Sequence, residues 1–278
     1  MALGARVIGV DRDPMALSAA RETLPQLELH HAQFSKIPTL LGDRKLDGLL
    51  LDLGVSSPQL DLPERGFSFM KEGPLDMRMD PTRGPTALDL IRTSDVEDLI
   101  AILFEYGEER YAKRIATMMK DAVKGELRTT TQLAKLCSDA IPFAEQRKSK
   151  IHPATRTFQA LRIAVNAELT ELETILEAFP DLLAPGGRCA IISFHSLEDR
   201  LVKNRFRDLT WTTSLPPNLA RAAGERIEPV VELLTRKPIA AGDDEVARNP
   251  RARSAKLRGC VRTTAPNLPT GAPPDRRG

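Results

Sequence analysis

The sequence predicts an α/β fold built on a mostly parallel sheet, and three observations point to it. First, Leu46 to Leu53 is an apolar run broken only by Asp47, Gly48 and Asp52. Bounded by turn formers, such a run reads as a strand buried on both faces, as in a parallel sheet. Second, Arg6–Val10 (RVIGV) reads as a strand ending in Asp11, and it is followed by a helical stretch and another short strand, Leu27–His31. Third, Asp61 to about Ser149 leaves this alternation and reads as a mainly helical insertion.

Taken in order, Pro14 sits where a first helical turn tolerates proline, so Met15 to Thr23 is read as helix. Phe34 follows the second strand. The strand at Leu46–Leu53 delivers Asp52 to a small polar loop, Gly54 then Ser56-Ser57-Pro58-Gln59, at its carboxyl end. In open α/β sheets that edge is where ligands bind. Leu62 to Pro85 is Gly/Pro-rich loop, and Thr86–Ile91 is short. Ser94, with Glu97 three residues on, reads as a capping box opening a helix to about Phe104. Glu108–Lys124 and Thr130–Ile141 also read as helices. A basic run, Arg147–Lys150, leads to a long helix at Thr155–Phe179, ended by Pro180. Along it Arg156, Gln159, Arg162 and Asn166 recur at three- and four-residue spacing, which puts them on one polar face. The turn Ala184–Gly187 precedes a strand, Arg188–Ser193, that ends in Phe194-His195-Ser196. Leu197–Leu209 is helix and Trp211–Glu225 loop. Val230–Leu234 and Ala255–Val261, joined through Asn249–Ser254, are read as a closing antiparallel pair.

Composition narrows the classes. The chain has 278 residues, 41% apolar and 28% charged, which suits a soluble globular protein of one large or two modest domains. Aromatic residues are only 4%, so the core must be aliphatic. No run of about 18 apolar residues suggests a membrane span, and no signal peptide is evident. Cys137, Cys189 and Cys260 are few and far apart and read as buried thiols of a reducing cytoplasm. The histidines and cysteines have no metal-ligand spacing, so no metal is expected. Net charge is +2 but uneven: from Ala247 onward Arg248, Arg251, Arg253, Lys256, Arg258, Arg262, Arg276 and Arg277 face Asp275 alone. Such a segment suits a phosphate backbone, although Pro266–Gly278 reads as a disordered tail.

Asp11, at a strand end beside a helix start, is where a ribose hydroxyl pair is commonly gripped; its ordinary reading is a helix cap or a surface acid. His195, at a second strand end, divides between a satisfied loop histidine and a site residue. Arg78, Arg83, Arg110, Lys113 and Arg114 either line RNA or form solvated faces.

Several blocks carry a more specific signal. These are Leu60-Asp61, Glu64–Met70 (ERGFSFM), Gly73–Pro81 (GPLDMRMDP), Tyr106–Arg110 (YGEER), His152–Ala160 (HPATRTFQA), Ser193–Arg200 (SFHSLEDR) and Asn249–Ser254 (NPRARS). In this order they closely resemble the signature of the RsmH (MraW) family, ribosomal-RNA cytosine-N4 methyltransferases that use S-adenosylmethionine. The resemblance runs from about Gly9 to about Arg258. It implies a class I S-adenosylmethionine-dependent methyltransferase sheet of Rossmann-like type, formed by residues 1–60 and 151–265, with 61–150 as a helical insertion for RNA recognition. Asp11, Phe34, Asp52 and Gln59 are then the cofactor contacts, Phe34 near the adenine and Asp52 fixing the ammonium end. The substrate is 16S rRNA in the small ribosomal subunit, at a decoding-centre cytidine. Arg78, Arg156, Arg251 and Arg253 are the candidate RNA contacts. No membrane partner is expected, and a homodimer stays open.

The exocyclic amine of cytosine is a poor nucleophile because its lone pair is delocalised. A site must accept the amine's hydrogens, turn the lone pair toward the methyl group and exclude water. Related base methyltransferases often place Asn, Asp or Ser before Pro-Pro-aromatic at this strand end. Here the stretch is Ser57-Pro58-Gln59-Leu60, so Ser57 is the candidate acceptor and Phe67 or Phe69 must supply any stacking. Ser57 and His195 are the candidate catalytic residues, no strong base being required. The expected arrangement brings Asp52, Ser57 and His195 to one hollow.

One departure is plain. The family carries a strand and a glycine-rich loop, DxTxGxGGHS, before the segment equivalent to Arg6, whereas this sequence begins Met1-Ala2-Leu3-Gly4. Without that strand, the edges of the strands ending at Asp11 and Asp52 are expected to lack partners. A misplaced start or a fragment of a complete enzyme is the expected explanation. The competing reading is a non-catalytic RNA-binding remnant that cannot hold the cofactor. A nicotinamide dehydrogenase is disfavoured, since no G-x-G-x-x-G opens a helix.

Overall fold

The computed structural model describes residues 4–210 and 228–267. The expected loop at Trp211–Glu225 and most of the expected tail lie outside them. The elements run β1 (Ile8–Asp11), α1 (Pro14–Thr23), β2 (Glu28–His31), α2 (Ile37–Leu41), β3 (Leu46–Asp52), α3 (Ser57–Asp61), α4 (Ala87–Thr93), α5 (Val96–Gly107), α6 (Ala112–Lys124) and α7 (Thr130–Ala140). There follow α8 (Phe143–Lys148), α9 (Thr155–Asn166), α10 (Glu168–Leu182), β4 (Leu183–Ser193), α11 (Ser196–Leu209), β5 (Val231–Leu233), β6 (Ile239–Ala240), α12 (Asp243–Arg248) and β7 (Lys256–Arg262). They form two compact units, Met1–Phe34 with Val55–Thr170, and Ser35–Gly54 with Glu171–Gly278.

In the first unit β1 and β2 pair in parallel, with Asp11 opposite His31, so an acid and a histidine end adjacent strands. Helices α4 to α7 and α9 pack on one largely aliphatic core. Leu99 and Leu103 of α5, Ile115 and Met119 of α6, Leu133 of α7 and Leu161 of α9 are all fully buried in it. Gly107 ends α5 where a Cβ would lie 2.7 Å from the Arg156 carbonyl, so the close approach of α5 to α9 requires glycine.

Several boundaries differ from expectation. Asp95, not Ser94, caps α5: its carboxylate accepts from Asp98 N at 2.7 Å, while Ser94 closes α4 by bonding Leu90 O. Both residue types cap well, and the charged acceptor makes the stronger bond. Glu108 takes a left-handed conformation (φ 49°), which ends α5 and delays α6 to Ala112. The expected long helix is two helices, α9 and α10, broken at Ala167 (φ 50°). Arg162 and Glu168 bridge that joint with bonds of 2.8 and 2.9 Å. Pro180 lies inside α10 rather than ending it. The basic run is the end of an unforeseen helix, α8.

The second unit holds a sheet of order β3-β4-β7-β5, with β6 on β7. β3 and β4 are parallel, Asp52 opposite Ile192. β7 is antiparallel to β4 and to β5, the latter as expected. Gly186 (φ +84°) carries the irregularity that shifts register between Leu46 and Gly48. β3 is not buried on both faces. Leu49, Leu51 and Leu53 are buried, but Leu50 is 65% exposed, because each successive side chain points to the opposite face. Among the described residues β1 pairs only with β2 and β3 only with β4, so the expected unpaired edges are present. Cys137, Cys189 and Cys260 are buried free thiols. No helix among the described residues is long and apolar enough to cross a membrane.

Candidate active site

In the first unit the site starts at the tip of β1. Asp11 accepts from Asp13 N at 2.7 Å, and Asp13 caps α1 by accepting from Met15 N at 3.0 Å. Asp11 meets solvent on one side, but protein crowds its carboxyl. That desolvation, with the nearby Asp13 charge, raises its pKa against the lowering effect of the Asp13 and Arg12 amides. Phe34 opens a short 3-10 turn and is partly buried.

The expected polar loop after β3 is a helical turn instead. Ser56 is its cap, its hydroxyl accepting from Gln59 N at 3.4 Å while Gln59 Oε1 accepts from Ser56 N at 2.9 Å. Ser-x-x-Gln is the sequence form of a capping box, a signal that the sequence itself carries. Ser57 is therefore the exposed first residue of α3. Gln59 is buried, and its Nε2 donates to Asp13 Oδ2 at 2.8 Å. Thus Gln59 and Asp11 meet through Asp13, a residue not singled out from sequence. Arg65 is the second such residue: it pairs with Asp13 at 2.9 Å. Asn166, expected only as part of a polar helix face, is buried and accepts from Met79 N at 2.8 Å while donating to Met77 O at 2.7 Å. Met77, fully buried, is left-handed (φ 59°), so this loop is held in a conformation costly for a residue with a Cβ. Asp80, at its end, pairs with His31 at 3.1 Å.

In the second unit Asp52 ends β3. The chain continues through Leu53 N to Ile192 O at 3.0 Å and then Gly54 (φ +86°), where the Phe194 ring packs close. Asp52 is solvent-accessible, yet burial of its carboxyl raises its pKa. His195 ends the neighbouring strand and caps α11. Its Nδ1 accepts from Glu198 N at 3.5 Å, and Nε2 lies 3.2 Å from Glu198 Oε1 without forming a hydrogen bond. Glu198 also accepts from Phe194 N and His195 N at 2.9 and 3.3 Å. His195 is thus a capping histidine whose second ring nitrogen is buried without a hydrogen-bond partner, placed one strand over from Asp52.

The aromatic and basic candidates separate clearly. Phe67 is buried, with the Arg65 guanidinium 5.9 Å from its ring centroid, so it offers no stacking face; Phe69 stacks on His152 at 4.6 Å. Arg78 is held by Asp76 in two bonds of 2.9 and 2.7 Å. Arg156 is exposed, donates to Glu108 O at 3.0 Å, and lines a pocket of about 270 Å³ together with Arg110, Tyr111, Lys148 and His152. That pocket is not lined by Asp11 or Ser57. Arg251 and Arg253 are exposed on the 3-10 turn Pro250–Ser254.

Taken separately, Asp11 at the end of β1 is an accessible acid of the kind that accepts from a ribose diol, and Asp52 at the end of β3 is one of the kind that accepts from an ammonium group. Each acid by itself fits one end of S-adenosylmethionine, the cofactor that methyltransferases of this class generally use. An α/β sheet of this kind, closed by an antiparallel last strand and accompanied by a helical insertion, defines a class I methyltransferase fold. The chain belongs to the MraW methylase family, whose model matches residues 2–263. It is 51% identical over 268 residues to "Ribosomal RNA small subunit methyltransferase H" of Sorangium cellulosum, covering 93% of this chain and 78% of that protein. The protein of the same name from Myxococcus xanthus is 49% identical over 262 residues, covering 93% and 84%. That from Anaeromyxobacter sp. is 51% identical over 267 residues, covering 92% and 84%.

Proposed function

We propose that the chain methylates N4 of a cytidine in small-subunit rRNA, using S-adenosylmethionine, and that the target is cytidine 1402 of 16S rRNA in the usual count. The observation that carries this is the family match over residues 2–263. Asp11 and Asp52, on the tips of β1 and β3, supply acids of the kind the cofactor needs. When bound, the cofactor supplies an electrophilic methyl carbon on a sulfonium. Asp11 would hold the ribose hydroxyls, Phe34 the adenine and Asp52 the ammonium group. Ser57, exposed at the start of α3, accepts a hydrogen of the cytosine amine and turns its lone pair. His195 orders the turn beside Asp52 through its cap on α11.

Residues 1–60 and 151–265 form the methyltransferase domain, and 61–150 the insertion that recognises RNA. Arg156, Arg251 and Arg253, all exposed, contact phosphates of the 16S rRNA; Arg78 contributes through the loop it braces with Asp76. The work is cytoplasmic, where ribosomal subunits assemble. The test is mass spectrometry of the target nucleotide in a bacterium lacking its own enzyme, with and without this gene. Restored methylation at N4 is expected, and an unchanged cytidine rejects the proposal.

A further inference from the structure

Three segments of the first unit converge on one buried ion pair. The side chains of Arg65 and Asp13 are only 6% and 4% exposed, and they meet at 2.9 Å. Asp13 Oδ2 also accepts from Gln59 Nε2 at 2.8 Å. The far edge of the same guanidinium donates from Nη2 to the carbonyls of Arg78 and Met79, at 3.2 and 2.9 Å. Arg65 thus ties together the β1–α1 turn, its own segment after α3, and the Met77–Asp80 loop. With α3 joined to them through Gln59, they bring together the segments that carry Asp11, Ser57 and Asp80.

A buried ion pair is a weak source of stability, because desolvating two charges costs about as much as their attraction returns. What such a network does well is fix geometry, provided that its groups are bonded. Here every group has partners: Asp13 accepts from Met15 N, Gln59 and Arg65, and both ends of the Gln59 amide are engaged, Oε1 by Ser56 N and Nε2 by Asp13. The planar fork of arginine is required, since an ammonium cannot reach the carboxylate and two carbonyls on its far side at once.

Resting on the proposed methyl transfer, we infer that Asp13, Arg65 and Gln59 are positioning residues, a clamp that sets Asp11 against Ser57. Gln59 acts through Asp13 rather than by its amide touching the cofactor. The clamp converts two separate turns into one rigid frame, which keeps the acid that holds the ribose at a fixed distance from the hydroxyl that orients the amine.

The test uses the full chain with Gln59→Glu, Arg65→Lys and Asp13→Asn. Gln59→Glu sets a second carboxylate against Asp13, which otherwise faces Arg65 with Asp11 and Arg12 beside it. At about pH 8 the two carboxylates repel, and at about pH 5.5 they share a proton. Hydrogen exchange of peptides spanning residues 11–16 and 56–62 reads the coupling directly. At the higher pH both peptides are expected to exchange about tenfold faster together, a change of roughly 1.4 kcal/mol in local opening. Both return toward the parent at the lower pH. In methyl transfer, kcat falls about ten- to a hundredfold while KM for S-adenosylmethionine changes little, because each turn keeps its own contacts and only their relative placement is lost. Arg65→Lys and Asp13→Asn give the same paired rise in exchange without the pH recovery. The clamp is overturned if the two peptides exchange independently in all three variants, or if melting temperature falls with kcat unchanged. A parent chain that transfers no methyl group rejects the proposed reaction and with it the clamp's role in that reaction, and the exchange arm still decides whether the two turns are coupled.

Discussion

Replacing Asn166 by aspartate swaps an amide for a carboxylate of the same shape at a site 2% exposed. The native side chain makes three bonds: Oδ1 accepts from Met79 N at 2.8 Å, and Nδ2 donates to Met77 O at 2.7 Å and Arg162 O at 2.8 Å. The first survives in Asn166→Asp. The other two become oxygen facing oxygen, leaving two carbonyls without their donor. At about 1–3 kcal/mol for each buried group left unsatisfied, the loss is about 2–6 kcal/mol, with the left-handed Met77 the first residue released. The new carboxyl has its folded-state pKa raised by burial, so it binds more protons in the native state than unfolded. Stability therefore falls as pH rises from the ordinary carboxyl range through the raised pKa. Urea unfolding followed by circular dichroism, with hydrogen exchange of residues 77–81 as a local probe, should show a larger loss at about pH 8 than at about pH 5. A loss below about 1 kcal/mol at both pH values would refute the bonding scheme drawn for this loop.

Three further outcomes follow from the same geometry. Cys137, whose thiol burial pushes up to about 12, and Cys189, raised by its Cys260 neighbour and by burial, should resist alkylation in the native protein and react only on unfolding, as counted by mass spectrometry. Asp11→Asn and Asp52→Asn should each weaken S-adenosylmethionine binding about tenfold or more in calorimetry. Because burial raises both carboxyls, binding by the parent should fade on acidification sooner than ordinary carboxylates would dictate. Alanine at Arg156, Arg251 or Arg253 should lower RNA affinity and reduce the salt slope by about one per site. Arg78→Ala should chiefly destabilise its loop.

The legible parts of the fold were those with local signals. The β1–α1 unit shows in RVIGV and Pro14; β3, β4 and β7 show in short apolar runs; the helical pattern of Thr130–Ile141 announces α7. The strand tips with Asp11, Asp52 and His195 followed from these. What stayed hidden depends on competition between equivalent local choices or on distant partners. Ser94 and Asp95 are both good caps, and only packing selects between them. Glu108 and Ala167 adopt left-handed conformations that their side chains do not advertise. Ser56-x-x-Gln59 is a capping box inside a stretch whose serines and proline suggested a loop. The Asp13–Arg65–Gln59 contacts join residues 46 and 52 positions apart, so no periodicity reveals them. Family resemblance supplied Gln59 as a cofactor residue; the structure adds that its amide faces Asp13.

Methyl transfer to one nucleotide is the activity on which the proposed function stands. Purified protein should be incubated with isotopically labelled S-adenosylmethionine and small ribosomal subunits from a strain lacking this modification, and the digested rRNA read by mass spectrometry. Label is expected at N4 of the decoding-centre cytidine, and it should be strongly reduced by Asp52→Asn. Label on a different atom or nucleotide, or none with a chain shown to be folded, would contradict the account.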